Sequence, residues 1–145
     1  MRIKNSKASQ YTIEEKKEAG IVLTGAEVKA IKGGHANLDS AYVKIMGMEA
    51  FLINSKVFPY PFARAEGYDP SRSRKLLLHK SEILAFKTWL NSKGRTLVPL
   101  SMYEKQGKIK LEIALVKGKK QYDHKADLKR KDLDRRVDQE LKKWG

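Results

Sequence analysis

Between Ile109 and Leu115 the chain alternates strictly, with Ile109, Leu111, Ile113 and Leu115 on one side and Lys110, Glu112 and Ala114 on the other. That period of two predicts a half-buried strand, and Gly107 marks the turn before it. Tyr42–Met46 and Glu49–Ile53 flank Gly47-Met48. Glycine permits the positive φ of a tight turn, so these runs predict an antiparallel hairpin. Thr96–Leu100 reads as another strand, with Pro99 pointing to an edge or a bulge because proline donates nothing to a ladder.

Elsewhere the period lengthens. Ile83, Phe86 and Leu90, joined by Leu84 and Trp89, follow helical spacing between Lys80 and Lys93, and Gly94 is placed to end the helix. The apolar run Gly20–Leu23 precedes Thr24-Gly25-Ala26-Glu27, a capping box with Thr24 as N-cap and Glu27 at N3. A short helix should follow, apolar at Val28 and Ile31 and stopped by Gly33-Gly34. The first ten residues are polar and basic, which predicts an arm that orders only against a partner. From Val57 to Arg74 prolines and aromatics alternate without a period, the mark of a functional or disordered loop.

These elements define a mainly β class with flanking helices. Its antiparallel sheet must close or curl to hide its edges, and an oligonucleotide-binding (OB-type) barrel fits; other α+β arrangements stay open on pattern alone. A length of 145 residues allows one such body, residues 1–117, and an appendage, residues 118–145. In the appendage the only apolar stripe is Leu133, Val137, Leu141 and Trp144, a thin helical seam. Ordering some twenty residues costs about 1–2 kcal/mol each, and four buried side chains return about 1.5–3 kcal/mol apiece. The tail is therefore expected to be disordered when free and to await an anionic or grooved partner.

Charge sharpens this picture. Lys and Arg number 31 against 17 Asp and Glu, a net +14 that favours polyanions. Residues 117–145 hold 11 basic and 6 acidic side chains, so most of the excess lies on the body. The chain has no cysteine, which excludes a disulfide framework and thiolate zinc sites. The N-terminal residues lack an apolar signal region and no run approaches a membrane span, so a cytoplasmic monomer without cofactor or membrane contact is expected. Catalysis finds no support. His35, His79 and His124 are too dispersed for a spaced metal motif, and no phosphate-binding lysine loop, dinucleotide fingerprint or nucleophile elbow is present.

Binding chemistry has more candidates. Glu14, Glu15 and Glu18 lie among lysines and read as a solvated charged surface, although a carboxylate at Glu18 facing RNA would accept from exocyclic base amines. In Arg72–Lys80, the residues Arg72, Arg74, Lys75 and Lys80 would contact phosphates and His79 would stack on a base. An ordinary strand entering the core with surface charges explains this run equally well. Tyr60, Phe62 and Tyr68 near Arg64 interleave aromatics and charge as single-stranded RNA sites do, or they cover a barrel end.

Several stretches occur together in one order: Lys17–Leu23 (Lys-Glu-Ala-Gly-Ile-Val-Leu), Gly25–Lys29, Ala36-Asn37-Leu38 before Ser40–Val43, Glu49–Leu52, Asp69–Lys80 and Gly118–Asp123. In these the chain resembles the SsrA-binding protein family, from about Asn5 into the tail. The resemblance implies an OB-type barrel that binds the tRNA-like domain of transfer-messenger RNA (tmRNA). It further implies a noncatalytic role in trans-translation, the rescue of stalled bacterial ribosomes. There the alanyl-tmRNA is carried by elongation factor Tu, and the tail enters the vacant mRNA channel near the decoding centre, where it is helical. Carried over by position, Glu18, Leu77 and His79 match RNA contacts, Asn5 and Lys7 match a basic arm, and Lys29 and Asn37 match polar RNA-facing positions. The Arg72–Lys80 block becomes an RNA contact by the same reasoning. Lys119, Lys120, Tyr122, Asp123, His124 and Lys125 match the start of the ribosome-binding tail, Val137 lies on its seam and Trp144 at its far end. Ser9-Gln10 stands where family members commonly carry Arg-His, and His124-Lys125 where many carry Lys-Arg. The competing reading is a general oligonucleotide-binding or ribosomal protein whose tail only adds charge.

Overall fold

The strictly alternating segment is the last strand of a closed barrel. A computed structural model describes residues 2–59, 68–91 and 94–118, together with Val137 and Leu141. Among the described residues the strands are β1 (Arg2–Lys4), β2 (Tyr11–Ile21), β3 (Ala36–Asn37), β4 (Tyr42–Met46), β5 (Glu49–Ile53), β6 (Lys56–Val57), β7 (Arg74–Leu77), β8 (Arg95–Lys105) and β9 (Lys108–Gly118). Helix α1 (Gly25–Lys32) follows β2, and α2 (Lys80–Leu90) follows β7. Seven strands form one antiparallel sheet in the order β1-β8-β4-β5-β7-β2-β9, and β8 also pairs with β9. The sheet thus closes on itself as an OB-like barrel, which removes the exposed edges an open sheet would carry. A ribbon of β3 and β6 lies outside this ring.

Leu97, Met102, Leu111 and Ile113, each fully buried, fill the barrel with Leu52 and Ala50. Helix α1 adds Ala30 and Ile31 to the same core, and α2 adds Phe86. The N-terminus of α1 carries the expected box: the Glu27 amide donates to Thr24 Oγ1 at 3.2 Å, and the Thr24 amide to Glu27 Oε1 at 2.9 Å. The four alternating positions of β9 all face inward. Its other face is not solvated throughout, because Ala114 and Val116 pack with Val98 and Leu100 under Ala8 and Tyr11. Pro99 sits where the β8–β9 register shifts, so its missing donor falls at a bulge.

The N-terminal arm departs from its expectation. Arg2–Lys4 pair antiparallel with Ser101–Tyr103, and the Asn5 amide donates to the Leu100 carbonyl at 2.8 Å. The barrel itself is the partner, because β8 runs on past β4 and leaves backbone groups for β1 to satisfy. Strand β2 is also longer than the apolar run at its end. Its residues Thr12–Glu18, polar except for the exposed Ile13, are held by backbone pairing along β9, which needs no hydrophobic pattern. Of the tail, Val137 and Leu141 are helical and buried, and with Tyr42, Phe51 and Ile53 they form a separate apolar cluster.

Candidate nucleic-acid interface

The segment Arg72–Lys80 divides by the pleat. Arg74 and Leu76 point inward and are buried, while Leu77, on the opposite face, is 56% exposed. Gly20 on β2 lies directly across from Leu77. A Cβ on Gly20 would stand 3.2 Å from Leu77 Cβ and 3.3 Å from its Cδ1, so glycine here is what lets the leucine lie flat over the neighbouring strand. Glu18, Lys75, His79, Lys80 and Lys110 surround this leucine around an open groove of about 800 Å³. His79 sits at the N-terminus of α2, its amide donating to Glu82 Oε1 at 3.0 Å, and its ring side is exposed. The groove offers a flat apolar surface, cations at its rim and three carboxylates, of which Glu49 lies 3.6 Å from Lys75 Nζ and Glu82 accepts from the His79 amide, while Glu18 faces the opening from β2. That is the equipment for stacking a base, holding phosphates and accepting from a base amine.

Glu18 is fixed in position by residues the sequence did not single out. The Tyr103 hydroxyl donates to Glu18 Oε2, and Lys105 Nζ lies 3.4 Å from each carboxylate oxygen. The Arg2 guanidinium stacks 4.6 Å above the Tyr103 ring and holds it from the other side. The Tyr103 hydrogen bond is the main cause that keeps the Glu18 carboxyl below its usual range. Burial, followed by the same bond to Glu18, pushes the Tyr103 phenol up to about 12. Near neutral pH Tyr103 therefore donates and Glu18 accepts. These residues come together through the β2–β9–β8 ladder, which joins positions far apart in the chain. The only local signal for Tyr103 is an aromatic residue amid polar ones just past the expected end of its strand.

Arg74 belongs to a different structure. Its side chain is fully buried and donates to Glu27 Oε2 from Nε at 3.0 Å and from Nη2 at 2.8 Å. Nη1 donates to the Ser55 carbonyl at 3.2 Å, to Ser55 Oγ at 3.0 Å and to the Arg72 carbonyl at 2.9 Å. A phosphate contact by Arg74 would require this set to break. Arg72, 25% exposed, also turns to Glu27, with Nε 3.0 Å from Oε2 and Nη2 against Oε1. The Tyr68 hydroxyl lies 3.0 Å from Glu27 Oε2 and 2.9 Å from the Val57 carbonyl, so this loop aromatic closes the cluster. Burial by itself pushes the Glu27 carboxyl up, but the bonds from Arg72, the Thr24 amide and Arg74 reverse this and hold it at about 2. Glu27 thus caps α1 and at the same time anchors the loop that leads into β7. The capping box explains only part of its role.

The remaining candidates lie outside this groove, Asn5, Lys7 and Asn37 about the arm and β3 and Lys29 on α1. Asn5 is buried; its Nδ2 donates to the Pro99 carbonyl at 2.8 Å and its Oδ1 accepts from the Lys7 amide at 2.9 Å, so both ends of its side chain are engaged. Lys7, Lys29 and Asn37 are exposed. Asn37 Oδ1 accepts from the Asp39 amide at 2.8 Å, and Asp39 Oδ1 from the Ser6 amide at 2.9 Å, which ties the arm to β3. Lys119, Lys120, Tyr122, Asp123, His124, Lys125 and Trp144 lie outside the described residues, as do Tyr60, Phe62 and Arg64. Among the described residues no group of three or more His, Asp or Glu is placed to hold a metal ion, and no helix is long and apolar enough to cross a membrane.

A closed antiparallel barrel with an apolar-floored groove rimmed by both lysines and carboxylates on its outer wall is the architecture of an oligonucleotide-binding type of protein. The chain belongs to the SmpB family, whose model, described as SmpB protein, matches residues 2–143. It is 48% identical over 139 residues to the SsrA-binding protein of Geotalea uraniireducens (strain Rf4), covering 95% of this chain and 92% of that one. With the SsrA-binding protein of Sulfurihydrogenibium sp. (strain YO3AOP1) it shares 49% identity over 139 residues, covering 95% and 91%. A solved structure described as "tmRNA-SmpB: a journey to the center of the bacterial ribosome" contains a chain that matches with a TM-score of 0.71 and 37% identity, over 85% of this chain and 87% of that one.

Proposed function

We propose that this protein binds the tRNA-like domain of tmRNA and brings it to stalled ribosomes for trans-translation, with the tail following the vacant mRNA channel. The observation that carries this reading is the family match across residues 2–143, which spans the groove strands and most of the tail. Within the groove, Leu77 and His79 offer surfaces for bases, Lys75, Lys80 and Lys110 meet phosphates, and Glu18 accepts from a base amine while Tyr103 holds it in place. Lys7 and Asn37 beside the arm, and Lys29 on α1, add further contacts. Arg74 and Asn5, beneath the surface, and the partly exposed Arg72 act by fixing the backbone that presents the others. The chain acts as a binding protein rather than a catalyst, in the cytoplasm where ribosomes work.

Charge alone binds all RNAs with a steep salt dependence and little discrimination. The test is therefore affinity for the tRNA-like domain against an ordinary tRNA at several salt concentrations. A preference that persists as salt rises is expected; equal affinities throughout would remove the specific reading. Glu18→Ala is expected to weaken binding to the tRNA-like domain by about 1–3 kcal/mol, the scale of one well-placed base contact. Because the Glu18 side chain is 37% exposed, thermal stability should change by no more than about 0.5 kcal/mol. Tyr103→Phe, measured in the same assay, should produce part of the same loss.

A further inference from the structure

The β3–β6 ribbon outside the barrel sorts its residues by the pleat. Val57 is fully buried in the core and Ala36 packs against it, so their neighbours His35, Asn37, Lys56 and Phe58 take the opposite, exposed face. Asn37 pairs with Lys56. The Phe58 amide donates to the His35 carbonyl at 2.9 Å, which sets the two aromatic residues opposite each other at the other end of the ribbon. His35 is supported from behind. Gly34 turns the chain out of α1 with a φ of +83°, and the His35 amide returns to the Ala30 carbonyl at 2.9 Å, a glycine-closed helix end. A Cβ on Gly33 would stand 3.0 Å from His35 Cδ2 and 3.4 Å from its Nε2, so the ring rests against bare glycine. Phe58 is 37% exposed, a large apolar ring on a face otherwise polar. Gly34, His35, Ala36, Asn37 and Phe58 line an open hollow of about 480 Å³, which shares no lining residue with the groove around Leu77.

We propose that this face of the β3–β6 ribbon is a second contact for RNA, where an unpaired base stacks on the rings of His35 and Phe58 and Lys56 meets the adjoining phosphate. The occupant follows from the chemistry of the patch. Aromatic rings presented on a paired strand take a base of any identity, because every base has a π-face. Asn37, whose Oδ1 accepts from the Asp39 amide, adds a side-chain N–H donor beside them. None of the described residues lining the hollow carries a carboxylate. Charge agrees: Lys29 and Lys32 occupy the last turn of α1, which leads to His35, and Lys56 shares the outward face. Asp39 is turned to the arm, with Oδ1 accepting from the Ser6 amide at 2.9 Å. A protein partner would meet a single apolar side chain here, too little for the apolar centre of a protein interface. The base comes from the tRNA-like domain or from ribosomal RNA; the stacking chemistry is the same for both. The proposal rests on the reading of the chain as an RNA-binding protein and gives it a surface separate from the Leu77 groove.

Filter binding of the full chain to the isolated tRNA-like domain, and its sedimentation with vacant ribosomes, test the proposal and separate the two sources. Phe58→Leu keeps an apolar side chain and removes the ring, and should weaken binding in one of the two arms by about tenfold, the scale of one lost base stack. The arm that falls names the RNA. Phe58→Tyr, which restores the ring, should bind within about twofold of wild type. His35→Ala should weaken the same arm, and Lys56→Ala should reduce its salt slope by about one. These side chains are exposed, so thermal midpoints within about 3 °C of wild type are expected. The fluorescence of Phe58→Trp, read as its difference from the wild-type protein, should be quenched as the same RNA is added, a signal that a merely structural role for Phe58 would not produce. Wild-type affinity of Phe58→Leu in both arms would overturn the proposal, as would fluorescence of Phe58→Trp that neither RNA quenches. A wild-type protein that does not prefer the tRNA-like domain to an ordinary tRNA would instead count against the functional reading, leaving the comparison of Phe58→Leu with wild type to decide the stacking.

Discussion

Arg74→Ala is expected to destabilise the protein by about 3–5 kcal/mol, the usual cost of removing one partner from a buried ion pair. Glu27 loses two of its bonds while remaining fully buried, and Arg72, partly solvated, cannot replace a donor that also holds Ser55 and the Pro70 carbonyl. Against a total stability of about 5–15 kcal/mol, that loss should appear as a fall of roughly 10–20 °C in the thermal midpoint, followed by circular dichroism. The double variant Glu27→Gln/Arg74→Met should recover a large share, because the cost lies in the unpaired charge rather than in the missing attraction. A midpoint within a few degrees of wild type for Arg74→Ala would show that the cluster is dispensable.

The same cluster sets an acid limit. The Glu27 carboxyl titrates near 4.5 in the ordinary case and is held at about 2 in the folded protein. A depressed folded value means that the contribution is complete above pH 4.5 and is lost as pH falls toward 2. Its size is on the order of 3 kcal/mol. Denaturant melts at several pH values should therefore show the stability gap between wild type and Glu27→Gln shrinking across this window.

Deleting the residues after Gly118 is expected to abolish peptide tagging on stalled ribosomes and leave affinity for the tRNA-like domain within about twofold. The RNA contacts proposed above all lie before Gly118, and the β2–β9 pairing that frames the groove is complete at that residue, so the groove keeps its frame. The tail's basic excess adds only a general, salt-sensitive attraction. Two measurements separate the roles: filter binding of the truncated protein to the RNA, and tagging of a nascent chain on a message without a stop codon. Normal tagging by the truncated protein would overturn the division of labour.

What could be read from the sequence follows from which forces leave a local trace. Helix α1 was legible from Thr24 and Glu27 because a capping box is a local contract between neighbours. Strand β9 was legible because one buried face imposes a period of two. Strand β2 left no trace at Thr12–Glu18, where backbone pairing to β9 does the holding and side chains are free to be polar. Arg74 looked like its basic neighbours, since nothing local distinguishes an arginine that meets Glu27 across the fold from one that meets solvent. Tyr103 is tied to Glu18 through a ladder of three strands, and no spacing rule links positions that far apart. Leu77 was singled out only by family resemblance; His79 stood out from the pattern as a stacking candidate, but a strand entering the core with ordinary surface charges explained the run equally well.

The closed ring also has a consequence for how the chain is made. Strand β1 needs Ser101–Tyr103, and nearly all of β2 needs Lys110–Gly118, so the segments synthesised first wait for partners synthesised almost last. Pairings this distant fold slowly and leave open edges meanwhile. A product that stops short of Lys108 lacks the strand that closes the barrel on both sides, and β2 and β8 are left as sticky borders. Completion of the message is thus a condition for this protein's own folding, and its incomplete copies are marked by exposed strands for aggregation or removal.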